Sequence, residues 1–417
     1  MSVGSPAERR AMSVFRYREF RVWWFSSLLS NTGTMAQTVA VPIVLDSLTG
    51  KATWVGFGTL ASTLPTVFVG PIAGSLADRH SRRSVLLWTQ AAATMLSVML
   101  AIAWATGVRS PWVYVALMGM AGTISGLGLP SWQSIVTEMV PRDELANAVT
   151  LNSASFNAAR AFGPSIGAVI LALSGPGWVF AFNTVSYSAV LTTLWRRPAT
   201  SPALPSTTRP RVMREFRSTL RYVRASRGLT TAIVLGGVLG LVGNPLAMMV
   251  VPFARRVYDA SDAQRSLLAA AIGTGAVLVA PILTARTNRV RPSVRVRNAI
   301  VFYCAAMLLL ASVPLIVVGA LALLAVGASH IAANATLNSV IQLDVDDAWR
   351  GKVMSVYLMT VNAGTPLGAM GMGVMVDRVG ARQTVAGAAC AMLAVSAIVA
   401  LRGQLPSLDA GRGRHRE

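Results

Sequence analysis

The chain has 417 residues, 53% hydrophobic and only 13% charged, about half the charged share of a soluble protein. Its net charge of +21 raises nucleic acid as a partner. The arginines, however, fall in short segments between apolar runs, where positive charge fixes topology and meets anionic lipid, so membrane lipid is expected as a partner and nucleic acid is not.

Apolar, nearly uncharged runs recur from end to end, each long enough to cross a hydrocarbon layer of about 30 Å. The opening "MSVGSPAERRAMSVFRYREFRVWW" has no small-residue cleavage site after an apolar core and reads as no removable leader. Charge-free runs and Pro/Gly breaks then place spans at 22–45, 52–77, 84–108, 111–137, 145–173 and 177–195. A polar connection follows, then spans at 228–254 and 266–285. The stretch 298–343 holds no residue charged at neutral pH and must contain two spans, broken near 314–319. Spans at 353–376 and 383–401 complete a set of about twelve. Cys304 and Cys390 sit in apolar runs and read as packing residues, not as a disulfide or metal pair.

With the N-terminus cytoplasmic, about 29 of the 37 Lys and Arg lie inside, about seven outside, and Arg160 within a span. The positive-inside rule therefore places both termini in the cytoplasm of a multi-pass inner-membrane protein. The segment 196–227 carries nine arginines and opens "RRPATSPALPSTTRPR", a linker leading into a basic amphipathic helix that lies on the membrane. The expected organisation is an N-terminal six-helix half at 1–195, this cytoplasmic linker, and a C-terminal six-helix half at 228–417 with a short basic tail. The halves repeat weakly. "GPSIG" from Gly163 matches "GTPLG" from Gly364, and "LADRHSRR" from Leu76 has a worn counterpart in "LTARTNRVR" from Leu283. Parallel repeats of this kind place a binding site at their interface.

"GSLADRHSRR", 74–83, between the second and third of twelve spans, resembles the loop signature of the major facilitator superfamily, with Ser81 in place of a usual glycine. The resemblance covers the entire chain and implies an all-α membrane fold of twelve transmembrane helices in two parallel six-helix repeats. "VPRDELANAVTLNSASFNAARAFGPSIG", "LTGKATWVG" and "RGKVMSVY" are similar to segments of the drug-exporter branch that includes macrolide and enterobactin exporters. "GPSIG" resembles a pattern of antiporters, with Ala168 where a second glycine is common.

Gly70 and Gly74 form a small-xxx-small pair, so span two is expected to pack backbone to backbone on a neighbour. Asp78 ends that helix, where its own helix dipole disfavours an acid unless another helix N-terminus or an arginine is near. The resemblance supplies the partner: Asp78 would meet the start of span eleven, near Gly351 to Met354, in an outward-open state. Arg82 or Arg83 would pair with Glu138. With Gly74 and Arg79, these residues form a candidate conformational latch.

Arg160 lies deep in span five and shares a helical face with Asn152 and Phe156, which aims them at a central cavity or, as a structural group, at carbonyls of a neighbouring helix. Gly163, Pro164 and Gly167 give that span a gating bend or a packing kink. His330 with Asn334 and Asn338 lines one face of span ten, where a histidine either exchanges protons near physiological pH or makes a helix-packing hydrogen bond. Similar stripes are Asn31, Thr34 and Thr38 in span one, Asn244 and Met248 in span seven, and Ser355, Met359 and Asn362 in span eleven. Together they outline a mostly apolar cavity suited to a bulky amphipathic ligand. All 16 carboxylates fall at span ends, in loops or in tails. Thr34 stands where many relatives have an acid, leaving Asp46 and His330 as proton candidates.

No Walker loop, metal-ligand cluster or catalytic set is present at membrane depth, so no cofactor and no enzymatic activity is expected. The sequence reads as a monomeric exporter of a lipophilic small molecule (a drug, antibiotic, siderophore or secondary metabolite) by proton antiport. The alternatives are an importer of a small nutrient and a non-transporting membrane sensor.

Overall fold

A computed structural model of the protein describes residues 13–197, 212–286 and 290–412. Among the described residues the regular structure is entirely helical. This is what lipid demands of a spanning chain, because every backbone N–H and C=O must find its partner within the segment.

One 3₁₀ turn, Ser13–Arg16, leads into α1, Arg18–Thr49. Then come α2 (Ala52–Phe68), α3 (Gly70–Arg79), α4 (Arg82–Ala105), α5 (Pro111–Ser134), α6 (Leu145–Ser174) and α7 (Pro176–Trp195). The linker segment 198–211 lies outside the described residues, and the basic helix expected after it is α8, Val212–Ala225. Next are α9 (Arg227–Val238), a π-helical turn at Leu239–Gly243, and α10 (Asn244–Tyr258). The set ends with α11 (Asp262–Arg286), α12 (Pro292–Ser312), α13 (Ile316–Asp344), α14 (Asp347–Arg378), α15 (Ala381–Leu401) and a 3₁₀ segment, Leu405–Arg412. Each expected span has its helical segment. Eight helices among the described residues are long and apolar enough by themselves to cross a membrane.

Two expected spans are not plain helices. The second divides at Val69 into α2 and α3, because Pro65 and the proline in the first turn of α3 each lack an N–H donor. The hydrogen bonds Val69 N–H to Pro65 O and Ala73 N–H to Val69 O run on at 2.9 and 2.8 Å, so the break is shallow. The seventh contains the π turn. The long uncharged stretch breaks after Ser312, within a residue or two of the expected prolyl site.

The chain resolves into two compact units, 1–48 with 61–207, and 49–60 with 208–417. In the first, α6 seats on α1 with almost no side chain between them. A Cβ at Gly163 would lie 2.5 Å from Met35 Cβ, and one at Gly167 would lie 2.6 Å from Ala36 Cα. In the second, α14 seats on the π turn in the same way. A Cβ at Gly364 would lie 2.8 Å from Leu241 N, and one at Gly368 would lie 1.8 Å from Leu241 O. "GPSIG" and "GTPLG" are thus matching contact sites, each joining the fifth span of its unit to the first. Gly70 and Gly74 behave otherwise: among the described residues nothing lies within 4 Å of a Cβ at either, so the expected small-residue contact is not made there. Close approaches on span two are made elsewhere, among them at Ser62, by Gly122 of α5.

Both ends of the described chain are tied down by acids. Ser13 Oγ donates to the Glu144 carboxylate at 2.8 and 3.0 Å, joined by Arg16 and Asn147. Asp409 accepts from Ser293 N–H at 3.0 Å and from Ser293 Oγ at 2.6 Å, capping the start of α12. Helix α8 buries Thr219 and Val223 and exposes Arg217, Arg221 and Arg224 along one stripe. Its Tyr222 stacks on Trp349 at 4.8 Å and donates to Asp346. Cys304 is buried, Cys390 is exposed, and both are free thiols.

Gly167→Val and Gly368→Val should each cost about 1–3 kcal/mol by overpacking a backbone contact. Thermal unfolding in detergent would register both as a lowered midpoint, with Gly74→Val close to the parent.

Candidate functional site

Each unit has membrane-embedded polar groups bonded across contacts between its own helices. In the first unit, Asn183 Nδ2 of α7 donates to Gln37 Oε1 at 2.7 Å, and Thr34 Oγ1 and the Tyr187 hydroxyl are 3.0 Å apart. Ser26 and Thr193 pair at 2.8 Å about two turns nearer the arginine-rich end. Thr34 and Thr38 also bond back to carbonyls of α1, at Ser30 and Met35. Asn31 is half-buried beside them, and Asp46 is fully buried near the end of the same helix.

On α6, Asn152, Phe156 and Arg160 follow at one-turn spacing near the middle of the helix. Phe156 is 41% exposed within the described structure, and the Arg160 guanidinium lies 5.9 Å from its ring centroid. That face is therefore uncovered by neighbouring helices, whereas the Gly163/Gly167 face is pressed against α1. Pro164 lies inside an α6 that runs unbroken through it.

At the arginine-rich end of this unit, one of the two alternatives for Glu138 is realised. Arg82 lies 3.4 Å from the Glu138 carboxylate and bonds Thr137 Oγ1 and Ser134 O. Arg83 instead donates to the last carbonyls of α7, Leu194 and Trp195, at 2.8 and 3.0 Å. Arg197, with 7% of its side chain exposed, bridges Glu138 and Glu19 at 3.5 and 3.2 Å. The network lies at the ends of helices whose apolar cluster holds Phe20, Trp23, Leu86, Ile135 and Leu194 out of solvent. Arg79 is exposed, and the side chain of Asp78 lies outside those described.

The second unit holds the more connected arrangement. The Tyr357 hydroxyl of α14 donates to Asn334 Oδ1 at 3.0 Å, which turns the Asn334 amide nitrogen toward His330 Nε2 at 3.1 Å. With that orientation Nε2 accepts, and the ring proton sits on Nδ1. A second proton on Nε2 would face the amide N–H, so charging His330 requires the amide to turn, with the Tyr357 hydroxyl then accepting from the amide nitrogen instead of donating to its oxygen. Tyr303, fully buried, stands beside the imidazole with ring centroids 5.9 Å apart and donates to Gly243 O at 3.0 Å. That carbonyl ends the π turn, the kind of irregular turn found often at functional sites. Asn244 of α10 donates to Thr365 of α14 at 2.9 Å. Asn338 accepts from Gln342 and stands apart from the network. Ser355, Met359 and Asn362 form an exposed stripe on α14, and Met248 is half-buried on α10.

Sequence reasoning passed over Gln37, Asn183, Tyr187, Tyr303 and Tyr357. The available signal was a polar group isolated in an apolar run, and for the tyrosines a hydroxyl that burial obliges to find an acceptor. Among the described residues no group of three or more His, Cys, Asp or Glu is placed to hold a metal.

A family model described as transmembrane secretion effector matches residues 10–416. The chain is 26% identical over 297 residues to the uncharacterized MFS-type transporter YkuC of Bacillus subtilis, covering 67% of each chain. It is 23% identical over 365 residues to the enterobactin exporter EntS of Escherichia coli O1:K1, covering 86% of each. Among solved structures, a bacterial homolog of the lysosomal transporter Spinster, in an inward-facing conformation, superposes with a TM-score of 0.71 at 17% identity, covering 95% of this chain and 98% of that one. The nucleoside transporter NupG gives 0.69 at 12% identity, over 94% and 98%.

Tyr357→Phe strips the donor from Asn334 Oδ1 and should cost about 1–3 kcal/mol as an unmet polar group. Ser355→Ala, on the exposed stripe of the same helix, should cost less than about 0.5 kcal/mol. Thermal unfolding of the two purified variants makes the comparison.

Proposed function

Because the chain belongs to the transmembrane secretion effector family of major facilitator transporters, with the twelve-helix fold of that superfamily, we propose that it is a secondary active exporter of lipophilic small molecules. The observation that carries the reading is the match along almost the whole chain to a secretion family and, over 86% of both chains, to an enterobactin exporter. The side-chain chemistry supports it. Polar groups within the spans are few, and most are engaged in bonds between helices or to their own backbone. The uncovered faces at Phe156 and at Met359 are apolar with isolated polar points. Such surfaces suit an amphipathic drug, siderophore or secondary metabolite better than a small hydrophilic nutrient.

In this reading the protein is a monomer in the inner membrane with both termini cytoplasmic. Two six-helix halves, 1–195 and 228–417, rock about the substrate, joined by the basic linker 196–227. Asp78, Gly74, Arg79 and the Arg82–Glu138 pair, with Arg83 on the end of α7, form the cytoplasmic latch. Asn31, Thr34, Thr38, Asn152, Phe156, Arg160, Asn244, Met248, Met359 and Asn362 face substrate or position the groups that do. Protons enter the cycle at His330, whose charging turns the Asn334 amide and reverses its bond to Tyr357, with Asp46 as the buried acid of the first half. Anionic lipid headgroups meet the Arg217, Arg221 and Arg224 stripe of α8.

Accumulation of dyes and antibiotics in an efflux-deficient bacterial host tests the direction. Wild type should hold less than empty vector, the difference should vanish with a protonophore, and Asp78→Asn should behave like the vector at equal membrane abundance. Greater accumulation in wild-type cells would replace the exporter with an importer. In proteoliposomes, His330→Gln should abolish gradient-driven transport while sparing substrate exchange at equal pH. Loss of both would make His330 a structural or substrate-binding residue.

A further inference from the structure

A second polar cluster, unconnected with the histidine network, lies where α14 ends. The Asp377 carboxylate accepts from the backbone N–H groups of Ala52 and Thr53, at 3.0 and 2.8 Å, and from the Thr53 hydroxyl. These are the first residues of α2. The opening N–H groups of a helix have no partner within it, and Lys51, the residue before, carries no acceptor side chain. Asp377 therefore supplies from another helix the cap that α2 lacks.

Arg256, near the end of α10, pairs with the same carboxylate and donates to Val376 O and Gly50 O at 2.9 and 3.0 Å. Arg255 donates to Gly50 O at 2.7 Å. Beneath the cluster the two helices meet backbone to backbone. A Cβ at Gly56 would lie 2.7 Å from Ala369 O, and one at Gly373 would lie 2.7 Å from Ala52 O. At these two positions the contact is between backbones alone.

The sequence around Asp377 repeats that around Asp78. Gly373 to Arg378 reads Gly-x-x-x-Asp-Arg, and so does Gly74 to Arg79. Each acid sits at the C-terminal end of its own helix, where the dipole disfavours it unless another helix N-terminus faces it. The two helices run oppositely through the membrane in the proposed topology, so the two acids lie at opposite surfaces. At Gly373 the partner helix is packed in; at Gly74 nothing among the described residues lies within 4 Å of a Cβ.

We propose that Asp377, Arg256 and the first turn of α2 form an outer clasp, the counterpart of the Asp78 latch, which holds the external side closed and releases when that side opens. The inference rests on the alternating-access reading above. Spans two and eleven then cap one another reciprocally, the end of each engaging the start of the other, at one surface per state.

The test is pulsed electron resonance on the full chain in lipid vesicles without substrate. Cys304→Ala and Cys390→Ser remove the native thiols, and spin labels go on Ser110→Cys and Ser312→Cys, both exposed at proposed outer helix ends. Asp377→Asn, which keeps an acceptor for the cap but loses the charge, should raise the ratio of longer to shorter distances about tenfold. Arg256→Gln should do the same, and Arg378→Gln should leave the ratio unchanged. Asp78→Asn should move it the opposite way, and the Asp78/Asp377 double variant should return toward the parent. Parent-like distances in both Asp377→Asn and Arg256→Gln, with monodisperse protein, would overturn the clasp. A chain that exports nothing yet shifts its distances refutes the exporter reading and keeps the clasp; a transporting chain whose distances ignore both substitutions does the reverse.

Discussion

Lipid removes the force that packs most proteins. Two apolar helices gain little by leaving hydrocarbon for one another, so they associate through close backbone contact and a few interhelical hydrogen bonds. The seating of α6 on α1 and of α14 on the π turn is this constraint made concrete. Gly163 and Gly167, and then Gly364 and Gly368, bring helix axes close enough that short polar side chains beside them can reach across. The Asn244–Thr365 bond and the Tyr357–Asn334–His330 chain depend on that spacing in the second unit.

Arginine, almost to the exclusion of lysine, handles the helix ends. Arg82 reaches Ser134 O and Glu138, Arg83 takes the final carbonyls of α7, Arg197 joins Glu138 O to two carboxylates, and Arg256 joins Val376 O to Asp377. In each case one planar fork reaches a carbonyl near a helix end, and for three of the four it also neutralises an acid. A lysine ammonium can donate to both but lacks the rigid planar fork that fixes their geometry. The strong positive charge of the chain is therefore as much a matter of finishing helices as of orienting them.

Much of this was legible before any coordinates. Charge-free run lengths located the spans, and the paired "GPSIG" and "GTPLG" motifs marked the glycine seats. The break at Val69 was hidden because two prolines spaced six apart still leave an apolar run. The π turn was hidden because its residues, Leu-Gly-Leu-Val-Gly, suit an α-helix equally well. Gly70 and Gly74 have the right spacing for a helix contact and none is present among the described residues, since spacing says that a face is smooth but not that anything lies against it. Partners in polar pairs were the least visible: Gln37 and Asn183 are 146 positions apart, and only the fold brings them together.

The π turn bears on how this half tolerates change in length. An α-helix that loses one residue rotates everything beyond the deletion by about 100°, which would carry His330's neighbours, Thr365's partner and the Arg256 end out of register at once. A π turn is an α-helix carrying one residue more than its rise needs. Deleting one position within Leu239–Gly243 would rewind that turn to ordinary α geometry and leave the helix on both sides facing as before. The seventh span thus holds its slack at a single place, and that place is the seat on which α14 rests.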